Sequence, residues 1–315
     1  MSSQSEIAAQ YGFFEARVVR SRRLGPTMVR VTFGGEQLKG FASGGRDQSF
    51  SLFLPHPGQD APVLPIEEGE HWFTAWRALP EDVRAVMRSY TVRAQRREPD
   101  EVDVDFALHG LAGHGTAGPA ARWAAGAAPG DRVVLLGPAV EDNRSVCFRP
   151  PAGTDWVLIA ADETALPAAG GILDELPAGT AARVWIEVPH AEDIQDFEIG
   201  ADVELTWLIR DAGTTPLVEA VRGADLPAGA PYAWIAGEAG SVRRCGAIWS
   251  ANAASTGARS PSPATGAAVP PRSSCGWRRC PATPPTRSDI RLLKRHLSED
   301  GPSPQEGGPP LVHKT

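Results

Sequence analysis

The pattern of apolar residues changes near residue 155, and this change constrains the fold more than any other feature of the sequence. Residues 156–160 read WVLIA, a continuous apolar run that is typical of a strand buried on both faces of a parallel sheet. A helical stretch over 165–176 follows, and the strand-like runs ARVWIEV, VELTWLIRD and YAWIAGE then alternate with loops and a helical PLVEAVRG. This alternation of strands and helices predicts an open α/β domain.

The first half of the chain predicts short antiparallel strands. The runs FEARVVRSRR, MVRVTFGG, DQSFSLFLP, RSYTVRAQ, EVDVDFALHG and DRVVLLGP are separated by Gly, Pro and Asp turn residues. One segment, EGEHWFTAWRALPEDVRAVM, favours helix with an interruption at Pro80, and another helix is expected to start near Gly118 and Pro119. We therefore predict a small antiparallel β-barrel over 13–145 and an α/β domain over 155–244.

The overall composition argues against nucleic acid or a membrane as partner. The net charge is −7 and 22% of the residues are charged, which is an ordinary balance. The N-terminus lacks the basic and apolar regions of a signal peptide. The longest apolar stretch, WVLIAADETALPAAGGIL, is interrupted by Asp162 and Glu163, so no membrane insertion is predicted. We expect a cytoplasmic monomer.

The cysteines do not form a metal or redox motif. The chain has four, Cys147, Cys245, Cys275 and Cys280, and their spacing matches neither a thiolate metal site nor a CxxC pair. The spacing of a plant-type iron–sulfur cluster is also missing. We therefore predict no metal site and no fused iron–sulfur module.

The run RSYTVR at 88–93 combines residue types that a core strand would not place on one face. In an extended strand Arg88 and Tyr90 point to the same side. A guanidinium can form two hydrogen bonds to a pyrophosphate, and a phenol ring can stack on a planar cofactor. Thr91 points to the other side, where its backbone and hydroxyl could still reach the edge of such a ring. Taken alone, the tetrapeptide RSYT also fits an exposed strand with ordinary arginines.

Several motifs in order give the sequence a more specific resemblance. RSYTVR is followed by EVDVDFALHG, GPAARWA, DETALPA and AGEAG, and the barrel precedes the α/β domain. This set resembles the siderophore-interacting protein family, which are FAD-dependent ferric-siderophore reductases with a ferredoxin-reductase-like fold. The resemblance covers roughly residues 13–240.

The resemblance implies which residues contact the cofactors. It places FAD along the RSYT strand, the end of the next strand and the start of the GPAARW helix, where Ala121 replaces the serine of the family motif. It places the nicotinamide beside the DETA and GE segments at the ends of two parallel strands. The implied cofactor-binding residues are Arg88, Ser89, Tyr90, Thr91, Val92, His109, Gly110, Gly118, Pro119, Ala120, Asp162, Glu163, Thr164, Ala165, Gly237 and Glu238.

Three of these residues also have a structural interpretation. His109 could cap or pack, and Asp162 or Thr164 could cap the helix that follows the first parallel strand, a role that can coexist with a contact to the nicotinamide. The segment lacks the GxGxxG fingerprint, so the residues themselves do not predict a dinucleotide clamp. No catalytic acid or base is predicted.

The function implied by the resemblance is NAD(P)H-dependent, FAD-mediated reduction of a ferric siderophore to release iron(II). Two alternatives remain open from the sequence. The chain could be a general flavin or ferredoxin-type reductase with another acceptor, or a non-catalytic protein that binds flavin or siderophore. Neither the siderophore nor the choice between NADH and NADPH follows from the motifs, although Glu187 at the end of the second parallel strand could disfavour a 2′-phosphate.

The composition changes again beyond about residue 241. The segment is rich in Ala, Pro, Ser and Arg, has no usable period, and predicts disorder over 245–315. The family continues from AGEAG into a helix and a last strand ending in a motif such as GYWRRG. Back-translation of residues 243–269 and reading in another frame permits ALRRHLVGERGIDRRAVTFTGYWRRG. We therefore predict a frameshifted C-terminus, an α/β sheet without its last strand, and impaired or absent activity. The alternative is a natural disordered tail on a shorter but functional protein.

Overall fold

The strands of the first half form one antiparallel sheet. The computed structural model describes residues 10–111, 117–200, 202–238, 240–246 and 264–265. In this part of the chain the sheet has the order β4-β3-β7-β1-β2-β6-β5. Its strands are β1 (Tyr11–Arg23), β2 (Met28–Gly34), β3 (Ser49–Leu54), β4 (Val86–Thr91), β5 (Ala94–Arg97), β6 (Asp100–Ala107) and β7 (Arg132–Pro138).

The sheet curls until its two edges meet. The strands β4 and β5 are the opposite edges, yet only Val92 and Arg93 separate them in the chain. The Val92 N–H donates to the carbonyl of Gln48 at 2.9 Å, just before β3, and the Arg93 N–H donates to the carbonyl of Asp103 on β6 at 2.9 Å. The run RSYTVRAQ is thus two strands joined at the closure of the barrel, and the prediction of one strand was wrong.

The aromatic segment before β4 is less helical than predicted. Residues Ile66–His71 form a 3₁₀ helix, and α1 (Trp72–Ala78) is the α-helix that follows it. Leu79 is already extended, with φ −64° and ψ 148°. This agrees with the steric restriction on a residue that precedes proline, here Pro80. The chain beyond Pro80 then turns and enters β4 instead of resuming a helix.

A parallel sheet follows in the second half, with the order β10-β9-β8-β11-β12. Its strands are β8 (Trp156–Asp162), β9 (Ala181–Val188), β10 (Val203–Ile209), β11 (Pro231–Ala236) and β12 (Ala264–Thr265). The described helices are α2 (Pro119–Ala125) between β6 and β7, α3 (Leu166–Asp174), α4 (Leu217–Arg222) and α5 (240–246).

All residues of β8 are buried because the strand is central and covered on both faces. The strand order 3-2-1-4-5 is that of a doubly wound dinucleotide-binding sheet.

A buried carboxylate joins the two sheets. Asp47, which precedes β3, accepts hydrogen bonds from the N–H groups of Cys147 and Phe148 at 3.0 and 2.9 Å. It also accepts one from the Trp234 indole on β11 at 3.1 Å. Burial raises the pKa of the Asp47 carboxyl, and these donors oppose that rise.

Two further polar contacts hold the barrel against the α/β part. Arg93 Nη1 lies 2.6 Å from the Asp174 carboxylate at the end of α3. In the turn between β1 and β2, Thr27 donates its N–H and its hydroxyl to the buried Asp193 at 2.9 and 2.8 Å. The orientation of the two sheets is therefore set by directional contacts as well as by packing.

A glycine in α3 allows a close approach between these parts. A Cβ on Gly171 would lie 2.2 Å from the carbonyl oxygen of Arg46. The Arg46 N–H in turn donates to Glu175 at 3.1 Å. The loop before β3 can sit on α3 because position 171 has no side chain.

The C-terminal prediction is tested at few positions. β12 pairs in parallel with β11, with Ala264 opposite Trp234. The expectation that the sheet has no strand beyond β11 is therefore wrong at these two residues. The predicted disorder of 245–315 is likewise wrong at residues 245 and 246, which end α5, and at 264–265; the rest of that range falls outside the described residues. Within the described ranges no helix is long and apolar enough to cross a bilayer.

Candidate cofactor site

The RSYT strand places a cation and an aromatic ring on one face, as predicted. In the register of β3 and β4, Arg88 lies opposite Leu52 and Tyr90 lies opposite Phe50. Leu52 and Phe50 belong to the barrel core, so Arg88 and Tyr90 are on the inner face of the sheet. Arg88 is exposed, and its Nη1 donates to the carbonyl of Met87 at 2.7 Å. Among the described residues no carboxylate lies within ion-pair distance of Arg88, so its charge remains available to an anion.

Aromatic packing connects this strand to α2. The Tyr90 ring lies 4.4 Å from the Phe106 ring on β6, at an interplanar angle of 49°. Phe106 lies 6.0 Å from Trp123 on α2, and Trp123 stacks on Phe33 at 6.2 Å. Burial raises the pKa of the Tyr90 phenol above its ordinary value. The strand that carries Arg88 and the start of α2 therefore belong to one packed unit.

The start of α2 leaves backbone donors accessible. Gly118 is extended, with φ −64° and ψ 158°, Pro119 is the first helical residue, and no side chain caps the helix. Among the described residues, no atom lies within 4 Å of a Cβ placed at Gly118. Ala120 and Ala121 are buried, so this turn offers backbone N–H groups but no hydroxyl. The free guanidinium, the aromatic ring and the open space at Gly118 fit a ring-bearing pyrophosphate such as FAD.

The end of β6 reaches the end of β8. His109 Nδ1 lies 3.7 Å from Glu163 Oε1, and the His109 side chain is half exposed. Gly110 follows in the left-handed region with φ 75°, which suits a residue without Cβ. This contact joins the predicted FAD segments to the predicted nicotinamide segments.

Asp162 ties β8 to β11 at the point where the strand order reverses. Its Oδ1 accepts from the N–H and the hydroxyl of Thr164 at 2.9 and 2.6 Å. Its Oδ2 accepts from the Glu238 N–H at 2.5 Å. The expectation that Asp162 or Thr164 caps α3 was wrong, since the cap residue is Ala165 and no side chain bonds to the first turn. Gly237 has φ 140°, and a Cβ there would lie 2.3 Å from Asp162 Oδ2.

Arg210, at the end of β10, was missed by the sequence analysis. It donates from Nη1 and Nη2 to the two oxygens of Glu163 at 2.7 and 2.5 Å, and from Nη1 to Glu187 at 3.1 Å. These carboxylates raise the pKa of Arg210. The sequence did contain a signal for Arg210. The residue follows directly after β10, and the carboxyl ends of parallel strands lie at one edge of the sheet, where the candidate site is.

The predicted residues do not all present side chains to the same space. Ser89 is exposed, and Thr91 lies opposite Ser49 on β3. The Val92 side chain is buried in the barrel core and its N–H is bonded, so its carbonyl is the group left to reach a cofactor. Thr164 is exposed beside the buried Ala165. The assignment of these residues to cofactors stays a prediction.

Comparisons with known proteins agree with this geometry. Residues 17–142 match the family profile described as siderophore-interacting FAD-binding domain, and residues 154–254 match the profile of siderophore-interacting protein. The ferric vibriobactin reductase ViuB of Vibrio cholerae is 34% identical over 231 residues, covering 72% of this chain and 79% of that protein. The NADPH-dependent ferric-chelate reductase of Escherichia coli is 30% identical over 239 residues, covering 73% and 84%.

Solved structures extend the comparison to the fold. The crystal structure of a siderophore utilization protein from T. fusca superimposes with a TM-score of 0.61 at 30% identity, covering 77% of this chain and 88% of that chain. The combination of an antiparallel barrel and a parallel α/β sheet is that of ferredoxin-reductase-like proteins. The predicted fold class is confirmed.

Proposed function

Because the chain belongs to the siderophore-interacting protein family, we propose that it is an oxidoreductase that uses NAD(P)H and FAD to reduce ferric siderophores. The observation that carries the proposal is the contact between His109 and Glu163, 3.7 Å apart. It brings the segment predicted to bind FAD and the segment predicted to bind the nicotinamide to one location. The NAD(P)H pool that the reaction needs is cytoplasmic, which is where we expect the protein to act.

FAD, when bound, can take two electrons as hydride from NAD(P)H and give them singly to iron(III), a chemistry that amino-acid side chains do not supply. The protein's part is to bind and orient. Arg88 would hold the pyrophosphate with charge-assisted hydrogen bonds, because its guanidinium is exposed and has no carboxylate partner among the described residues. Tyr90 offers its ring to the flavin while Phe106 supports it from the core.

On the α/β side, the residues fix the edge where the nicotinamide is expected. Asp162 holds the ends of β8 and β11 at a set separation, through its hydrogen bond to the N–H of Glu238. Glu163 is held by Arg210 and lies against His109. No residue is assigned as an acid or base, because neither hydride transfer to the flavin nor electron transfer to the metal requires a proton from the protein.

Anaerobic stopped-flow spectroscopy tests the proposal. The full chain loaded with FAD is mixed with NADH or NADPH, and loss of flavin absorbance is followed before a ferric siderophore and an iron(II) chelator are added. Bleaching and then iron(II) formation are expected. If the flavin bleaches but passes electrons to ferredoxin much better than to the ferric siderophore, a general reductase is favoured. If flavin binds but does not bleach, a non-catalytic binding protein is favoured.

Arginine and tyrosine variants test the flavin contacts. Arg88→Ala should weaken FAD binding by about 2 kcal/mol, which is roughly thirtyfold, because a charge-assisted hydrogen bond is lost. Arg22→Ala, at an exposed arginine on β1, is the matched control and should leave FAD affinity unchanged. Tyr90→Phe should retain most of the affinity that Tyr90→Ala loses. Wild-type affinity in both Arg88→Ala and Tyr90→Ala would show that this strand does not bind flavin.

A further inference from the structure

The parallel sheet carries a carboxylate at the position that distinguishes the two nicotinamide dinucleotides. In doubly wound sheets an acidic residue after the second strand of the unit accepts hydrogen bonds from the adenosine ribose of NAD, whereas a nearby arginine receives the 2′-phosphate of NADP. The first strand of this unit is β8 and the second is β9. Glu187 is the next-to-last residue of β9 and lies opposite Asp162 of β8 in the register.

Glu187 is fixed in place by its neighbours. Its Oε2 accepts from the N–H of Leu217, the first residue of α4, at 2.8 Å. Its Oε1 accepts from Arg210 at 3.1 Å. An ionised carboxylate has about four acceptor positions, so two remain for ribose hydroxyls. The side chain is 16% exposed, which lets a ligand reach it without freeing it to rotate away.

Arg210 is a poor receptor for a phosphate because two carboxylates already balance its charge. Its guanidinium already makes two hydrogen bonds to Glu163 and one to Glu187. Glu163, Glu187 and Arg210 together carry a net charge of about −1, because the one guanidinium neutralises one of the two carboxylates. The basic side chain of His190, which follows β9, has its Nδ1 2.6 Å from the Asp211 carboxylate. A phosphate dianion arriving here would meet the Glu187 carboxylate and a guanidinium whose charge is already balanced.

We infer that this edge of the sheet selects NADH over NADPH and that Glu187 is the specificity-determining residue. The inference rests on the proposed function and deepens it by naming the reductant. Like charges placed together at a binding site are strongly disfavoured, so we expect a preference on the order of tenfold to a hundredfold in kcat/KM. The expectation differs from the relative in Escherichia coli, whose name specifies NADPH.

Two measurements on the FAD-loaded full chain test the inference. Steady-state kcat/KM is measured with NADH and NADPH, and calorimetry measures the affinity of ADP-ribose and of its 2′-phosphate. NADH and ADP-ribose should be favoured in the wild type. Glu187→Gln keeps an acceptor for the Leu217 N–H and removes the charge, so it should reduce both preferences severalfold. Glu219→Gln makes the same charge change at an exposed residue of α4 and should leave both preferences unchanged.

The outcomes separate this inference from the proposed function. If the wild type uses NADPH as well as NADH or better, or if the 2′-phosphate binds as tightly as ADP-ribose, the assignment of Glu187 is wrong. If neither dinucleotide is oxidised but ADP-ribose still binds more tightly, the specificity stands and the proposed reaction fails. If neither fragment binds and neither dinucleotide is oxidised, both are overturned. The wild-type ratios of kcat/KM for NADH and NADPH, and of affinity for ADP-ribose and its 2′-phosphate, test the preference for NADH even if Glu187→Gln fails to fold.

Discussion

Replacement of Asp162 by alanine should destabilise the protein through the end of the α/β sheet. The carboxylate is buried and accepts from the N–H of Thr164 at 2.9 Å and from the N–H of Glu238 at 2.5 Å. Its third donor, the Thr164 hydroxyl at 2.6 Å, is on an exposed residue and can turn to water. The cost therefore arises from the two backbone donors.

The size of the effect follows from these two groups. A buried donor left without a partner costs about 1–3 kcal/mol, and Glu238 is exposed enough for its N–H to reach water in part. We expect a loss of about 2–4 kcal/mol in the free energy of unfolding. For a chain of this size that corresponds to a fall in Tm of roughly 3–8 °C. Thermal unfolding followed by circular dichroism measures it, with Thr164→Val as a control that should change Tm little.

A double-mutant cycle with Gly237 makes the test specific. Gly237→Ala is unfavourable alone, because φ is 140° and the new Cβ would lie 2.3 Å from Asp162 Oδ2. With Asp162→Ala already present, the backbone strain remains and the clash disappears. The double variant should therefore lose less than the sum of the single variants, by about 0.5–3 kcal/mol. Strict additivity, or a wild-type Tm for Asp162→Ala, would refute this account of Asp162.

Three further outcomes are expected. The hydrogen bonds from Arg20 hold the pKa of Glu101 below its ordinary value of 4.5; this contribution to stability is present above that value and is lost as the pH falls through the lowered pKa. The Tm gap between wild type and Arg20→Ala should therefore shrink on acidification, and a constant gap would contradict the pairing. Gly171→Ala should lower Tm by an amount equivalent to about 1–3 kcal/mol, because its Cβ would lie 2.2 Å from the Arg46 carbonyl, and an unchanged Tm would mean that this contact relaxes freely. Sequencing the gene across codons 238–250 should show a site where a one- or two-base insertion or deletion restores a reading frame ending near GYWRRG. If no such change restores that frame, the frameshift hypothesis is wrong.

Local periodicity was sufficient to predict most elements and the fold class. WVLIA predicted a buried central strand, and all residues of β8 are buried. Proline predicted the start of α2, which begins at Pro119. These features depend on residues close in sequence, where side-chain alternation and proline geometry act directly.

Features that depend on distant residues could not be predicted in the same way. The run RSYTVRAQ reads as one strand, and only the curling of the sheet divides it at Val92 and Arg93. Asp162 precedes a helix and resembles a cap, but its carboxylate instead accepts a hydrogen bond from the N–H of Glu238, which follows β11. In the candidate site the sequence indicated the residue types, whereas the pairing of Glu163 with Arg210 emerged from the folded sheet.

The contacts of Asp47 mean that the barrel is not a self-sufficient module. The residue belongs to the first predicted domain, but its three side-chain hydrogen bonds come from Cys147, Phe148 and Trp234, all beyond residue 145. A fragment cut at the predicted boundary would keep the acceptor and discard every one of these donors. We expect such a fragment to fold less stably than the same residues do in the full chain. Although the described residues form two sheets, these hydrogen bonds make the full chain a better unit for expression and engineering than the barrel alone.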